Sequence, residues 1–420
     1  MSSNPPSVQL LRQQAASLLL YQSVFSGEVG ATFLQLLQAL QSGDVLGKIE
    51  AYGRWFRGLA ARDRSWSDYL IEQILQDDNP FSQQAQRLPF DRLPPALVQA
   101  ARHDLQALQL LSRCGGKQLA EWVQALAWVR DSEDETLLHG CENWADAIAD
   151  LASHYARCGT GIFARYRVFR WHQGEFIGIA SPDPVQWSEL VGYELQKADL
   201  ARNTEFLLAG TPALHVLLYG SRGSGKSSLV KALANKYTQQ GLRLIEVNQA
   251  QLAELPEIVE QLRDLPQKFV IFVDDLSFEE DNAVFKALKV VLEGSTTARA
   301  QNVVVYATSN RRHLVREYFS DRPRPSDGDE VHAWDTLQEK LSFSDRFGLT
   351  LTFEPANQDT YLVIVRHLAA RSRLDLPTEE LEFRAKQWAT RHNGRSGRTA
   401  RQFVDFLQSE LASKREKQNS

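Results

Sequence analysis

Cysteine is scarce: the 420 residues hold three, Cys114, Cys141 and Cys158. They are odd in number, widely spaced and without a CxxC pair or a neighbouring His pattern, which argues against a disulfide framework and a zinc site. Buried thiols in a reducing compartment are expected. Long apolar runs are missing as well, since none reaches the roughly 20 residues needed to span a bilayer. The stretch from Met1 to Gln22 lacks a cationic segment followed by a long apolar core, and Arg12 interrupts the one candidate run. The expectation is a cytoplasmic protein with no membrane partner. Excess charge is lacking too. Lys and Arg number 47 against 52 Asp and Glu, a formal net charge of -5, which disfavours coating nucleic acid through bulk charge but leaves room for a local basic groove. No internal repeat is visible.

What is present fits a folded protein of more than one domain. Apolar residues make up 43% and charged residues 24%, both near the averages for globular domains, and the length exceeds what one core usually organises. From Val8 to about Leu151, helix formers carry apolar residues at three and four spacing, as in Leu105, Leu108 and Leu111. Breaks at Asp78-Asn79-Pro80, Leu93-Pro94-Pro95 and Gly115-Gly116 divide this half into several helices. The run from Tyr166 to Ile179 reads as a hairpin around His172-Gln-Gly-Glu175 and is expected to close a mainly helical N-terminal domain, residues 1–184. Beyond Ser181-Pro-Asp-Pro184, short apolar strands at Val216–Tyr219, Leu242–Val247, Phe269–Val273, Val303–Ala307 and Leu349–Phe353 alternate with helical stretches. This predicts an α/β core over 185–356, a parallel sheet sandwiched by helices. Polar, Pro-rich residues 321–330 read as a mobile insertion loop. Three helical stretches over 357–412 suggest a lid, and 413–420 a frayed charged tail.

The chemistry centres on Gly220-Ser-Arg-Gly-Ser-Gly-Lys-Ser227, which fits G-x-x-x-x-G-K-[ST] between a strand and the helix opening at Ser228. The candidate loop contacts are Gly220, Ser221, Arg222, Gly223, Ser224, Gly225, Lys226, Ser227 and Ser228. Glycines let backbone N–H groups wrap a phosphate chain, and the helix start adds its positive end. Lys226 should reach the outer phosphates of ATP, and the Ser227 hydroxyl should bind Mg²⁺. The strand Lys268–Val273 ends in two carboxylates. As the end of a strand neighbouring the phosphate loop, Asp274 is the expected Mg²⁺ ligand and Asp275 the group that orients or deprotonates water. Asp275 is one methylene shorter than the usual Glu, so slow hydrolysis, or use of Glu279 or Glu280, is left open. Asn310, at the tip of Val303-Val-Val-Tyr-Ala-Thr-Ser-Asn310, could contact the γ-phosphate or the water, with Thr308 and Ser309 as competitors and a helix cap as the plainer reading.

These elements in this order resemble the AAA+ ATPases, in which Asn310 matches sensor 1. The resemblance implies base contacts at Leu190, Val191 and Gly192, within Glu189-Leu-Val-Gly-Tyr-Glu194. It implies an arginine finger at Arg346, acting on a neighbouring subunit, and a sensor 2 arginine at Arg398, with Arg395 and Arg401 near enough to compete. Phe272-Val-Asp-Asp-Leu-Ser-Phe-Glu279, Tyr306-Ala-Thr-Ser-Asn310, Ser344-Asp-Arg-Phe-Gly348 and Arg395-Ser-Gly-Arg-Thr-Ala-Arg-Gln-Phe403 further resemble the bacterial AAA+ family catalogued as domain of unknown function 815, a predicted ATPase.

The expectation is an ATPase that binds and hydrolyses Mg·ATP and assembles into a ring or other nucleotide-dependent oligomer, remodelling or assembling a protein partner. Trp55, Phe56, Trp66 and Trp122 are candidates for a partner surface, with core packing the plainer role for most of them. A nucleic-acid loader is an alternative, motivated by Arg311, Arg312, His313 and Arg316 and by no nucleic-acid motif. A nucleotide-dependent switch with little turnover is another, motivated by Asp275.

Overall fold

The computed structural model describes residues 6–42, 44–130, 137–276, 282–293, 300–310, 342–392 and 394–418. Glu279, Glu280, Arg311, Arg312, His313 and Arg316 lie outside the described residues, as does the segment 321–330. The chain divides into two compact units, Met1–Arg165 and Tyr166–Ser420.

The first unit is helical: α1 (Val8–Ala16), α2 (Glu28–Gln41), α3 (Val45–Ala60), α4 (Trp66–Gln76), α5 (Pro80–Ala85), α6 (Pro95–Arg113), α7 (Gly116–Val123), α8 (Ile148–Cys158) and α9 (Gly161–Arg165). Helices change over at each break read from the sequence. At Asn79 the side chain accepts from the Phe81 and Ser82 amides while Ser82 Oγ accepts from the Asn79 amide, a reciprocal cap with Pro80 at the first helical position. Trp55 and Trp66 are buried and pack with tilted rings against Phe33, and Trp66 Nε1 donates to the Leu111 carbonyl at 3.0 Å. Phe56 and Trp122 pack, partly buried, against the same core. Trp55 and Trp66 therefore serve core packing, while Phe56 and Trp122 keep part of their surface exposed. Asp104 of α6, fully buried, accepts from the backbone amides of Leu19, Leu20 and Tyr21 at 2.7–3.0 Å. A carboxylate satisfied this way can be sealed from water without an ion-pair partner. Cys114 is buried, Cys141 and Cys158 half-buried, and none forms a disulfide.

The second unit carries β1 (Val168–His172), β2 (Glu175–Gly178), β3 (Val216–Gly220), β4 (Leu242–Glu246), β5 (Lys268–Val273), β6 (Val303–Ser309) and β7 (Leu349–Phe353). Among the described residues they form one sheet in the order β2-β1-β4-β5-β6-β3-β7, parallel except for the β1–β2 pair. The hairpin thus belongs to this sheet and does not close the helical unit: Val168 pairs with Leu244 and Phe169 with Ile245. Buried Val168 and Phe169 find their apolar partner on β4, and the unit boundary falls at Arg165 rather than at residue 184. Val216, Leu218, Leu244, Val270, Phe272, Val304 and Tyr306 share one core with Leu200 and Leu207 of α10 (Glu194–Leu208) and Leu229, Val230 and Leu233 of α11 (Lys226–Tyr237). The alternate residues Leu217, Ile245, Ile271 and Val305 are equally buried, as are Leu255, Ile258 and Leu262 of α12 (Leu255–Leu262). Strands buried at successive positions need both faces of the sheet covered.

After α13 (Asn282–Glu293) and β7 come three lid helices, α14 (Gln358–Arg371), α15 (Thr378–Arg391) and α16 (Gly397–Gln418). Their own core holds Tyr361, Val365, Leu368, Ala385, Phe403 and Leu407. Helix α16 continues through Lys414-Arg-Glu-Lys417 to Gln418, past the point expected to fray. Lys, Arg and Glu are good helix formers, and extending an existing helix avoids the cost of nucleation. No helix among the described residues is long and apolar enough to cross a membrane.

Candidate functional site

A cavity of about 610 Å³ opens where the C-terminal ends of β3, β5 and β6 meet the lid, a volume typical of small-molecule pockets. Its floor is the loop after β3. Gly220 has φ 137°, and a Cβ there would lie 2.0 Å from the Phe353 carbonyl oxygen. Only glycine lets the loop leave β3 this close to β7, where the Ser221 amide donates to the same carbonyl at 3.0 Å. Gly223 has φ 76°, and a Cβ there would meet Ser396 Oγ at 2.9 Å on the lid. Arg222, Gly223, Ser224, Gly225, Lys226, Ser227 and Ser228 all line the cavity. Gly220 and Ser221 sit behind it and offer their carbonyls to Lys226 Nζ, at 2.9 and 2.7 Å. Burial lowers the Lys226 pKa, opposed by the nearby Asp274 and Asp275 carboxylates.

The sheet order corrects one expectation. The strand carrying Asp274, β5, does not neighbour β3, because β6 lies between them. Asp274 nonetheless reaches the loop, its Oδ1 accepting from Ser227 Oγ at 2.7 Å. The intervening strand contributes Thr308, whose hydroxyl donates to Asp274 Oδ1 at 2.5 Å and accepts from the Asp275 amide at 2.9 Å. That uses the donor and an acceptor of one small side chain to tie two strand ends together. Asn310 does the same one step further along: its Nδ2 donates to Asp275 Oδ1 at 2.6 Å and its Oδ1 accepts from Lys226 at 3.4 Å. Asp275 itself has φ 52°, a left-handed conformation that Asp tolerates better than most residues. Gln249 secures it by donating to the Asp275 carbonyl at 2.7 Å. Asp274, Asp275 and Asn310 all line the cavity.

On the other side, Leu190 packs on the sheet core and Val191 on the lid core, and both line the cavity. Gly192, with φ 97°, does not line it; a Cβ there would come within 2.9 Å of Thr360 Cγ2 on α14. The lid contributes Ile364, Leu368, Arg398 and Arg401. Arg398 touches the phosphate loop through its backbone, its amide donating to the Gly223 carbonyl at 3.2 Å. Arg395 stays outside the cavity and donates to Gln358 at 3.1 Å. Arg346 also lies outside it, paired with Glu293 at the end of α13.

Several participants were not assigned from the sequence. Thr308 was weighed only as a competitor of Asn310. Gln249 had no assigned role, nor had Glu189, which lines the cavity, or Lys197, which lines it too, donates to the Leu190 carbonyl and pairs with Glu194 at 3.1 Å. Only Thr308 carried a signal, as a hydroxyl at the end of a buried strand.

The loop, the two strand-end carboxylates and the lid arginines all lie within residues 164–411, which match the family described as "Protein of unknown function (DUF815)". The chain belongs to this family. The DUF815 match begins almost where the second unit does, at Tyr166, so nearly all of the helical unit falls outside it. Similar solved structures include a Thermotoga maritima RuvB point mutant, 18% identical over 55% of this chain and 68% of that one, with a TM-score of 0.40. The T. maritima RuvB Holliday junction branch migration motor is 16% identical over 53% of this chain and 72% of that one, with a TM-score of 0.35. No curated protein matches the chain.

Proposed function

We propose that this DUF815 protein is a cytoplasmic AAA+ ATPase that binds and hydrolyses Mg·ATP and couples the cycle to a protein partner. The observation that carries this reading is the 2.7 Å hydrogen bond between Ser227 and Asp274, which joins residues 47 apart in sequence at the rim of the phosphate-loop cavity. Two hard oxygen donors of this kind suit Mg²⁺, which keeps further positions for phosphate oxygens and water. Bound there, the ion would neutralise phosphate charge. Lys226 would leave the Gly220 and Ser221 carbonyls for the outer phosphate oxygens, an exchange favoured by the stronger charge on phosphate. Leu190, Val191, Ile364 and Leu368 supply apolar surface for a base. Asp275 would orient the attacking water and Asn310 the γ-phosphate, while Arg398 would link phosphate contact to the lid. Arg346 lies away from this chain's own cavity, which supports its acting on a neighbouring subunit in a ring or other assembly.

One observation favours a second reading, a switch with little turnover. Asn310 donates to the Asp275 carboxylate at 2.6 Å, so one oxygen of the short acid is already engaged by a side chain. Phosphate release by the wild type and by Lys226→Ala under assembling conditions separates the two. Turnover well above that of the variant supports the ATPase, and equal turnover together with tight Mg·ATP binding supports the switch. Absence of Mg-dependent nucleotide binding would remove both.

A further inference from the structure

We propose that Glu189 is a positioning residue that holds the lid closed over the cavity through Arg371 and Arg401, so that nucleotide affinity depends on a three-residue clasp. This deepens the Mg·ATP reading and rests on it. Glu189 ends a short 3-10 turn, Trp187–Glu189, immediately before the base-side segment. Its side chain is 16% exposed, and its carboxylate receives two arginines from two different lid helices. Arg371, the last residue of α14, donates from Nη2 to Glu189 Oε1 at 2.8 Å. Arg401, in the second turn of α16, donates to Oε2 at 3.4 Å. A second nitrogen of Arg371 reaches Ser188 Oγ at 3.5 Å.

Isolated pairs of exposed charges contribute little, and each arginine is nearly half exposed. Glu189 is different because both arginines, from two lid helices, converge on it and its side chain is largely covered in this arrangement. Each arginine reaches a different carboxylate oxygen through one nitrogen, so a single side chain ties both helices to the same point. The placement matters as much as the strength. Glu189 and Arg401 line the cavity themselves, and the next two residues bridge its walls, Leu190 on the sheet core and Val191 on the lid core. The structure has the lid already over the cavity with the clasp made. Breaking it lowers the fraction of molecules whose lid is in place, and apparent affinity falls by that fraction.

The test measures binding of a non-hydrolysable ATP analogue with Mg²⁺ to the full chain, together with amide exchange of the nucleotide-free protein. Glu189→Gln and the double variant Arg371→Gln/Arg401→Gln should each weaken binding about tenfold, a lid-in-place fraction cut to about a tenth. Combining all three should add little to either. Amide exchange in α14 to α16 should quicken without nucleotide, while that of β3 to β6 should not. Unchanged affinity in the variants beside a binding wild type would overturn the clasp, as would losses that simply add. Were the wild type itself not to bind, the nucleotide reading would fail, and unchanged lid exchange in Glu189→Gln would separately defeat the clasp. If Glu189→Gln does not fold, Arg371→Gln carries the test, because Arg371 does not line the cavity and can affect binding only through the clasp.

Discussion

Asp104 in the helical unit and Asp274 in the sheet unit each accept several hydrogen bonds, and the contrast between them separates architecture from chemistry. Asp104 is fully buried and satisfied by three consecutive amides. Nothing of it remains for a ligand, so it serves to pin residues 19–21 onto α6. Asp274 accepts from Ser227, Thr308 and the Asp275 amide through a single oxygen, Oδ1, and its side chain is exposed. A carboxylate held in place at one oxygen and open at the other is suited to a cation. The same contrast separates Asn79, whose side chain closes a buried helix cap, from Asn310, which connects Lys226 to Asp275 in an open cavity.

The sharpest way to break this comparison is Lys226→Ala. Turnover should fall by about a thousandfold, about 4 kcal/mol of barrier, while the melting temperature without nucleotide stays close to that of the wild type. Phosphate release and a thermal melt measure the two; a large loss of stability would make Lys226 architectural after all. Asp104→Ala should do the reverse. Three buried amides lose their acceptor, costing about 3 kcal/mol in denaturant unfolding of the helical unit, with Mg·ATP affinity unchanged. Coupled loss of affinity would undo the division between the units. Thr308→Val keeps the volume and removes the hydroxyl between Asp274 and Asp275. Turnover should drop about tenfold, the worth of one hydrogen bond to a charged group, with the fold intact by circular dichroism. The smallest effect concerns thiols. Burial pushes the Cys114 thiol up to about 12. Burial also acts to raise Cys158, but His154 and Arg157 outweigh it and bring that thiol down to about 7. The thiolate is the reactive form, so iodoacetamide should label Cys158 with a half-maximal rate near pH 7 and spare Cys114 until the unit unfolds. Labelling of Cys114 in the folded protein would contradict the burial assigned to it.

The phosphate loop was legible in the sequence because its chemistry is contiguous: the glycines, Lys226 and Ser227 lie within eight positions between a strand and a helix. The helix breaks were legible for a similar reason, since Pro95 and the cap at Asn79 act locally. What was missed depends on pairing at a distance. The hairpin's allegiance is decided by Val168 meeting Leu244, and periodicity within the hairpin carries no trace of that. The place of β6 between β3 and β5 is likewise a property of the crossovers, so the route from Asp274 to Ser227 through Thr308 was hidden. Glu189 finds Arg371 and Arg401 across 182 and 212 residues. A lone acid before a hydrophobic pair looks like any solvated residue until the lid is folded back on it.

The contact between the Gly223 carbonyl and the Arg398 amide gives the phosphate loop a mechanical handle. Helix α16 starts at that contact and runs for 22 residues, so it extends about 33 Å from its pivot. Rotating such a rod by about 5° at the loop would sweep its far end through about 3 Å. A sub-ångström adjustment around a phosphate, too small to alter the cavity's outline, would thereby become a displacement as large as a side chain at the other end of the lid.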